Sequence, residues 1–437
     1  MLKVLVIGGG GREHALCWAL RSSPQVEKVY CAPGNAGIAE IARQLDIKPT
    51  DTKRLIEFAR REQIDLTVVG PEDPIAGGIV DAFRREKLRA FGPTAAAARL
   101  EGSKSFAKEF MRRHHIPTAP FSVFENADEA IRFVQESEGP LVVKADGLAG
   151  GKGVIVCNSP DEAEAAVKRI MVEHAFGVVG DRIVIERRLI GQELSVMAFS
   201  DGRNVAMMLP ARDYKPVLDG DRGSNTGGMG AYAPAIRLDD PILEDIEQSV
   251  IRKTIDGMAS EGTPYSGVLY AGIMLTEAGP RVLEFNCRFG DPETQVVLPL
   301  LKTDLIDVMG AVLAGQLDME PLEWREEVCA CVILTSKGYP GKYETGTPIT
   351  GTIKTESDGV LRFHAGTVSG PGGVVTSGGR VMGVCARSVS HEGAIASAYD
   401  GVERVQFKGA HYRTDIGLRP AEMHRLRRPP AERRARF

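Results

Sequence analysis

Five short segments of this 437-residue chain combine residue types and spacings that suit chemistry. The first is Gly8-Gly9-Gly10-Gly11, followed by Arg12-Glu13-His14. Glycines let backbone N–H groups approach an anion, and a helix N-terminus favours negative charge. A dinucleotide fingerprint would need Gly or Ala at 13 or 14, where Glu13 and His14 stand. It would also need an acid after the second strand, where the sequence reads Tyr30-Cys31-Ala32-Pro33. A single phosphate suits this turn better, and a nicotinamide-dependent oxidoreductase is disfavoured.

The second segment runs from Lys144 to Gly153, with Gly147, Gly150, Gly151, Lys152 and Gly153. It is not a Walker A loop, because Asp146 and Gly153 replace the required Gly and Ser/Thr. Between antiparallel strands such a loop can fold over phosphates as a flap, with Lys144 as a point charge. The third is Glu186 to Glu193, at a strand end. There a carboxylate can accept a purine amine proton, and a second acid can take ribose hydroxyls. In the fourth, Glu284 to Glu293, Glu284 and Asn286 share one strand face. Two oxygen donors at i,i+2 suit a hard cation such as Mg²⁺, and Arg288 continues that face toward a phosphate. Phe285 and Cys287 should then face the core. The fifth joins Asp213-Tyr214-Lys215 to the loop Gly223 to Gly230, a cradle for a small substrate or phosphate.

The elements that must position these residues follow from hydrophobic patterning. Strands at Lys3–Ile7, Val26–Ala32 and Asp65–Val69 alternate with helices at Arg12–Arg21, Thr52–Gln63 and Ile75–Lys87, which predicts a parallel α/β sheet. Ile116 to Pro120 reads as a linker. The expected fold is α/β and α+β multidomain. Residues 1–120 form an N-terminal Rossmann-like α/β domain, 121–192 a lid subdomain with the flap, and 193–325 a central subdomain with the metal site. Residues 326–417 form a separate β-rich domain, and 418–437 a basic tail expected to be disordered.

The charge is near balance, with 54 Lys+Arg against 58 Asp+Glu, which excludes a global nucleic-acid binder and a disordered chain. No apolar run is long enough to span a membrane, and the start leads straight into a strand, so no signal peptide is expected. The seven cysteines form no CxxC pair and read as buried, reduced thiols. Glycine stands out: 49 are present, against roughly 31 at the usual ~7%. Twelve of them fall in the turn at 8–11, the flap at 147–153 and the loop at 223–230, where backbone must come close to a ligand.

Together these segments resemble the ATP-grasp superfamily, and within it the phosphoribosylamine–glycine ligase family, from Leu2 to about Gly417. The most specific pieces are Gly10-Gly-Arg-Glu-His-Ala15, Ala32-Pro-Gly-Asn-Ala-Gly37, Val69-Gly-Pro-Glu72, Leu100-Glu-Gly-Ser-Lys104, Asn225 to Tyr232 and Glu284 to Glu293. The resemblance implies an ATP-dependent ligase of purine biosynthesis. It would be cytoplasmic, a monomer or weak homodimer, with no nucleic acid or membrane partner. Its substrates would be glycine and 5-phosphoribosylamine, and a glycyl phosphate would form on the way. ATP would be held by Lys104, Lys144, Gly147, Gly150, Gly151, Lys152, Gly153, Glu186, the Leu189 backbone and Glu193. Mg²⁺ or Mn²⁺ would bind Glu284 and Asn286. Phosphoribosylamine would contact Gly10, Gly11, Glu13, Asn35, Glu72, Asn225, Thr226, Gly227 and Asp291. Arg288, Lys215 and Asp213 would be catalytic. The alternatives are another ATP-grasp ligase or carboxylase of purine precursors, or a nucleotide-binding scaffold without catalysis. The strand before Glu284 reads Ala271-Gly272-Ile273, without the extra acid many ATP-grasp enzymes carry, which puts a second metal in doubt.

Overall fold

The structure, a computed structural model, describes residues 1–150 and 153–418. The strand–helix rhythm of the first hundred residues builds a five-stranded sheet. Its strands are β1 (Leu2–Gly8), β2 (Val26–Pro33), β3 (Arg43–Gln44), β4 (Leu66–Val69) and β5 (Ala90–Phe91), in the order β3-β2-β1-β4-β5. All four pairings are parallel, as predicted. Helix α1 (Gly11–Arg21) starts directly from the glycine turn after β1, at the end of the strands where ligands bind in open α/β sheets. The segment predicted as one helix over 75–87 is interrupted at Gly77-Gly78, and Gly78 takes φ +81°.

Helix α2 (Lys104–Arg113) is capped by the Ser103 hydroxyl, which accepts from the Phe106 N–H. Lys104 and Lys108, four apart, therefore project from one face. The stretch expected as a linker is instead fastened. Thr118 bridges to Val282, the Val282 N–H donates to the Pro117 carbonyl at 2.8 Å, and the Arg187 N–H donates to the Pro120 carbonyl.

The lid sheet is antiparallel, with β6 (Phe121–Phe124), β7 (Leu141–Ala145), β8 (Val154–Cys157) and β9 (Ile183–Arg187) in the order β6-β9-β7-β8. Its apolar core, including Val134, Val143, Val167 and Ile183, is self-contained. The central sheet orders β10 (Gln192–Asp201), β11 (Val205–Met207) and two long strands, β16 and β17, as β11-β10-β16-β17. Between them in the chain lie β12 (Arg212–Asp213), a hairpin of β13 (Pro216–Leu218) and β14 (Arg222–Asn225), and β15 (Gly230–Ala233). β16 covers Ser266–Thr276 and β17 covers Gly279–Asn286. Two apolar clusters join this sheet to the first: Leu5 and Ile7 of β1 pack in one core with Ala271, Phe285 and Cys287, and Val4 and Val6 in another with Phe199 and Val268.

The C-terminal strands β18 (Val328–Thr335), β19 (Glu356–Ser357), β20 (Val360–His364) and β21 (Arg380–Ser388) do not form a separate sheet. They are continued by two strands from the central region, in the order β12-β15-β18-β21-β20-β19. The expected boundary near 326 is thus crossed by hydrogen bonding between Ala233 and Cys329 and between Gly230 and Val332. Small residues on β15 allow this: Ala231 and Ala233 are fully buried against the neighbouring strand and leave room for Cys329 and Cys331. The N- and C-terminal regions also meet directly. His14 of α1 accepts from the His364 N–H at 2.8 Å, and its other ring nitrogen lies 3.2 Å from the Thr355 hydroxyl. All seven cysteines are free and buried, as expected. Among the described residues no helix is long and apolar enough to cross a membrane.

Candidate functional site

The flap, α2 and the ends of β7, β9 and β17 converge on one cleft. Lys104 Nζ donates to the Gly147 carbonyl at 2.8 Å, which ties α2 to the base of the flap. Gly147 has φ +158°, and a side chain there would run into Val179. Gly150, at φ +56°, has open space around it. Gly153 lies against Ala149 and Ala145. Gly151 and Lys152 lie outside the described residues.

Lys144 forms an ion pair with Glu186 at 2.5 Å and donates to the Leu283 carbonyl at 3.1 Å. A second lysine, Lys108, reaches the other oxygen of Glu186 and donates to Thr118 at 2.7 Å. All three charged groups are buried. Burial opposes ionisation of Glu186, but Lys144 and Lys108 together hold its carboxyl below the usual range. Burial, with Lys144 nearby, lowers Lys108 to about 8. Both oxygens of Glu186 therefore face a buried lysine, Oε1 toward Lys144 and Oε2 toward Lys108. Beyond β9, the Leu189 N–H and C=O have no partner among the described residues, as an edge for pairing with a purine requires. Glu193, at the start of β10, is held by Lys215 at 2.7 Å.

β17 presents Glu284 and Asn286 on one partly exposed face, with Phe285 and Cys287 buried behind them. No donor among the described residues reaches the Glu284 carboxylate, whereas Asn286 Oδ1 accepts from Arg288 at 3.2 Å. Gly272 pairs with Glu284 across the sheet and offers no further ligand. Among the described residues no three acidic, histidine or cysteine side chains gather as a metal site. An oxygen-only pair with one free carboxylate fits a hard cation whose remaining ligands are phosphates and water.

Arg288 was expected to grip phosphate in bidentate fashion, but its donors are largely engaged. Nε binds Glu72 at 2.9 Å, one terminal nitrogen donates to the Phe289 carbonyl at 3.1 Å, and the other contacts Asn286 and, at 3.3 Å, Glu101. Burial raises the Glu72 pKa, yet Arg288 and Arg12 outweigh it and bring it down to about 2.

At the substrate end the structure divides the predicted residues. Glu13 is buried, with one oxygen on the Gly10 N–H and the other on Arg12 Nε, both at 2.6 Å. It acts as the capping-box acid that shapes the glycine turn. Gly8 and Gly70 have no room for a side chain because Glu13 fills that space. Asn35 likewise makes five internal hydrogen bonds: its amide nitrogen to the Gly9, Gly10 and His364 carbonyls, its oxygen from the Gly37 and Ile38 N–H groups. In this conformation both side chains spend their polar atoms within the fold. Gly10 faces Asp291: a Cβ on Gly10 would lie 3.5 Å from its carboxylate. Gly11 packs against Gln295.

Asn225 closes the β13–β14 hairpin opposite Pro216. The Thr226 hydroxyl donates to the Lys215 carbonyl and accepts from the Gly228 N–H, so it locks the hairpin. The Gly227 N–H donates to Tyr339 Oη at 3.0 Å, and its carbonyl accepts from Arg380. Arg380 also pairs with Asp291 at 3.0 Å. Below this loop, Asp213 Oδ2 lies 3.6 Å from Lys215 Nζ, and Oδ1 is buried without a partner. Burial, with Glu293 and Glu193 nearby and Lys215 opposing, raises the Asp213 carboxyl to about 7.

Sequence reasoning missed Lys108, Glu101, Tyr339 and Arg380. The helical i,i+4 spacing from Lys104 could have found Lys108. Arg380 and Tyr339 carry no local signal, because the C-terminal sheet delivers them from far along the chain.

Three family models match consecutive parts of the chain: phosphoribosylglycinamide synthetase N domain over residues 2–101, its ATP-grasp (A) domain over 102–294, and its C domain over 329–419. A phosphoribosylamine–glycine ligase from Caldanaerobacter subterraneus is 48% identical over 415 residues, covering 95% of this chain and 99% of its own length. The human trifunctional purine biosynthetic protein adenosine-3 is 51% identical over 421 residues, a match that covers 42% of that longer protein. The crystal structure of phosphoribosylamine–glycine ligase from Thermotoga maritima superposes with a TM-score of 0.84 at 36% identity, covering 95% of this chain and all of the other. On these matches along nearly its whole length, the chain belongs to the phosphoribosylglycinamide synthetase (phosphoribosylamine–glycine ligase) family.

Proposed function

We propose that this chain joins glycine to 5-phosphoribosylamine, cleaving ATP to ADP and phosphate, as a cytoplasmic step of purine biosynthesis carried out by a monomer or weak dimer. The observation that carries the reading is the 48% identity to a phosphoribosylamine–glycine ligase along nearly the whole of both chains. The cleft supports it residue by residue. The Leu189 backbone offers the edge that adenine needs, with Glu186 and Glu193 as the acids for the adenine amine and the ribose. Lys104 and Lys144 place positive charge beside the flap, where the phosphates would lie. A magnesium or manganese ion on Glu284 and Asn286 would neutralise phosphate charge.

The carboxylate oxygen of glycine attacks the γ-phosphorus, and ADP leaves with the bridging oxygen. Lys104, Lys144 and Lys215 stabilise the spreading charge, and each such fixed contact is worth a few kcal/mol, about 2–4, of barrier. The flap excludes water from the resulting glycyl phosphate. The amine of phosphoribosylamine then attacks the carbonyl carbon, and phosphate leaves. Asp291, Gly10, Gly11 and the 225–227 loop line the end of the cleft where that amine would arrive.

The test is direct. Purified protein with Mg·ATP and phosphoribosylamine should release ADP only when glycine is added. Release of ADP that ignores glycine, or none at all, would refute the assignment.

A further inference from the structure

The amide-forming step releases a proton, and the cleft must accept it. Most acids at the substrate end are already committed. Glu193 is held by Lys215, and Glu72 by Arg288. Glu293 accepts from Ser195 at 2.9 Å and from Tyr270 at 3.0 Å. Asp291 accepts from Gln295 at 2.7 Å and pairs with Arg380. Both Glu13 oxygens are engaged in the turn. Asp213 differs: Oδ1 is buried and nothing among the described residues donates to it. The oxygen faces the substrate loop, where a Cβ on Gly228 would come within 2.7 Å of it. An acceptor left bare in such a place costs free energy unless a donor arrives during function.

We propose that Asp213 is the base that removes the proton from the attacking amine of phosphoribosylamine, an inference that rests on the ligase reading above. The nitrogen lone pair forms the C–N bond to the glycyl carbonyl carbon. The carbon–oxygen bond to phosphorus breaks, and phosphate leaves with that electron pair. The N–H proton passes to an Asp213 oxygen and then to the departing phosphate or to water. No oxidant or further reactant is needed. The surroundings suit the task. Lys215 faces Asp213 from the adjoining turn, Glu193 from β10, Glu293 from beyond β17 and Arg380 from β21, and the net result of burial and these charges is a carboxyl poised near neutrality.

The test separates the two chemical steps in Asp213→Asn. Glycine-dependent positional isotope exchange in ATP labelled with oxygen-18 at the β,γ-bridge reports reversible glycyl phosphate formation. Product analysis in the same reaction reports the amide. Exchange should stay within about threefold of wild type while amide formation falls by about 100-fold or more, the usual size of a lost general base. Amide formation within about tenfold of wild type would overturn the proposal. Equal loss of both steps would also overturn it, because Asp213 would then serve phosphoryl transfer or the fold. A second measurement needs no variant. In wild type, single-turnover amide formation should slow as pH drops below about 7 while isotope exchange stays level, since a protonated Asp213 cannot accept. A flat amide-forming rate down to about pH 5.5 would overturn it too. Failure of the ligase reading itself would look different: wild type would make no amide at all.

Discussion

The substrate loop is fixed from both sides, and Gly228 is where this matters most. Replacing it with alanine places a Cβ 2.4 Å from Pro292 Cδ and 2.7 Å from Asp213 Oδ1. Ordinary contact begins at 3.4 Å, so the loop or the Pro292 ring must move by about 1 Å. The backbone there has φ +109°, which an alanine adopts only under strain of about 1–3 kcal/mol. Overpacking adds a similar amount, about 1–3 kcal/mol. The loop cannot swing away freely, because Gly227 is held by Arg380 of the C-terminal sheet and by Tyr339 in the turn after β18. A displacement near 1 Å at reacting groups costs roughly 100-fold in rate. Gly228→Ala should therefore lower kcat for amide formation by about that factor. Gly227→Ala is the milder comparison: its Cβ would meet only the Arg380 side chain, at 3.1–3.4 Å, and no backbone or proline ring. That variant should lose clearly less than Gly228→Ala. Steady-state kinetics on the two proteins decides the matter. If Gly228→Ala stays within about threefold of wild type, the loop is not packed against Asp213 and Pro292 as described.

Glu186→Gln leaves Lys108 and Lys144 buried without a counter-charge, a loss of about 3–5 kcal/mol, whereas Lys108→Met leaves the Glu186–Lys144 pair intact. Thermal unfolding should show the larger drop for Glu186→Gln; the reverse order would contradict the described pairing. Glu72 has a depressed pKa, so its contribution is present above the usual 4.5 and is lost as pH falls toward about 2; Glu72→Gln should flatten the fall in melting temperature across that window. A variant that melts with the wild-type acid profile would show that Arg288 does not hold Glu72. Arg380→Ala removes the partner of Asp291 and should reduce kcat/KM for phosphoribosylamine by about 100-fold while KM for ATP stays unchanged. A parallel rise in KM for ATP would place Arg380 elsewhere.

Local patterning made some of this site legible. The period of two along Glu284–Arg288 put Glu284 and Asn286 outward and Phe285 and Cys287 inward, and the structure has them so. Strand–helix alternation likewise announced the parallel sheet that carries the glycine turn. What stayed hidden depends on contacts between distant parts of the chain. Arg380 meets Asp291 across 89 positions, and the C-terminal sheet borrows β12 and β15 from the central region. Neither leaves a trace in any short window.

A motif also does not say which way a side chain spends its hydrogen bonds. Glu13 and Asn35 stand in motifs that carry the family resemblance, and Asp213 lies just ahead of another. Two of them satisfy their polar atoms within the fold, and one keeps an oxygen bare. Buried polar atoms are expensive to leave unpaired. A satisfied Asn35 therefore explains its place in the motif as support for the Gly9 and Gly37 turns, with no ligand required. Asp213 Oδ1 has no donor within the described fold, and a donor that arrives with the substrate would offset that cost.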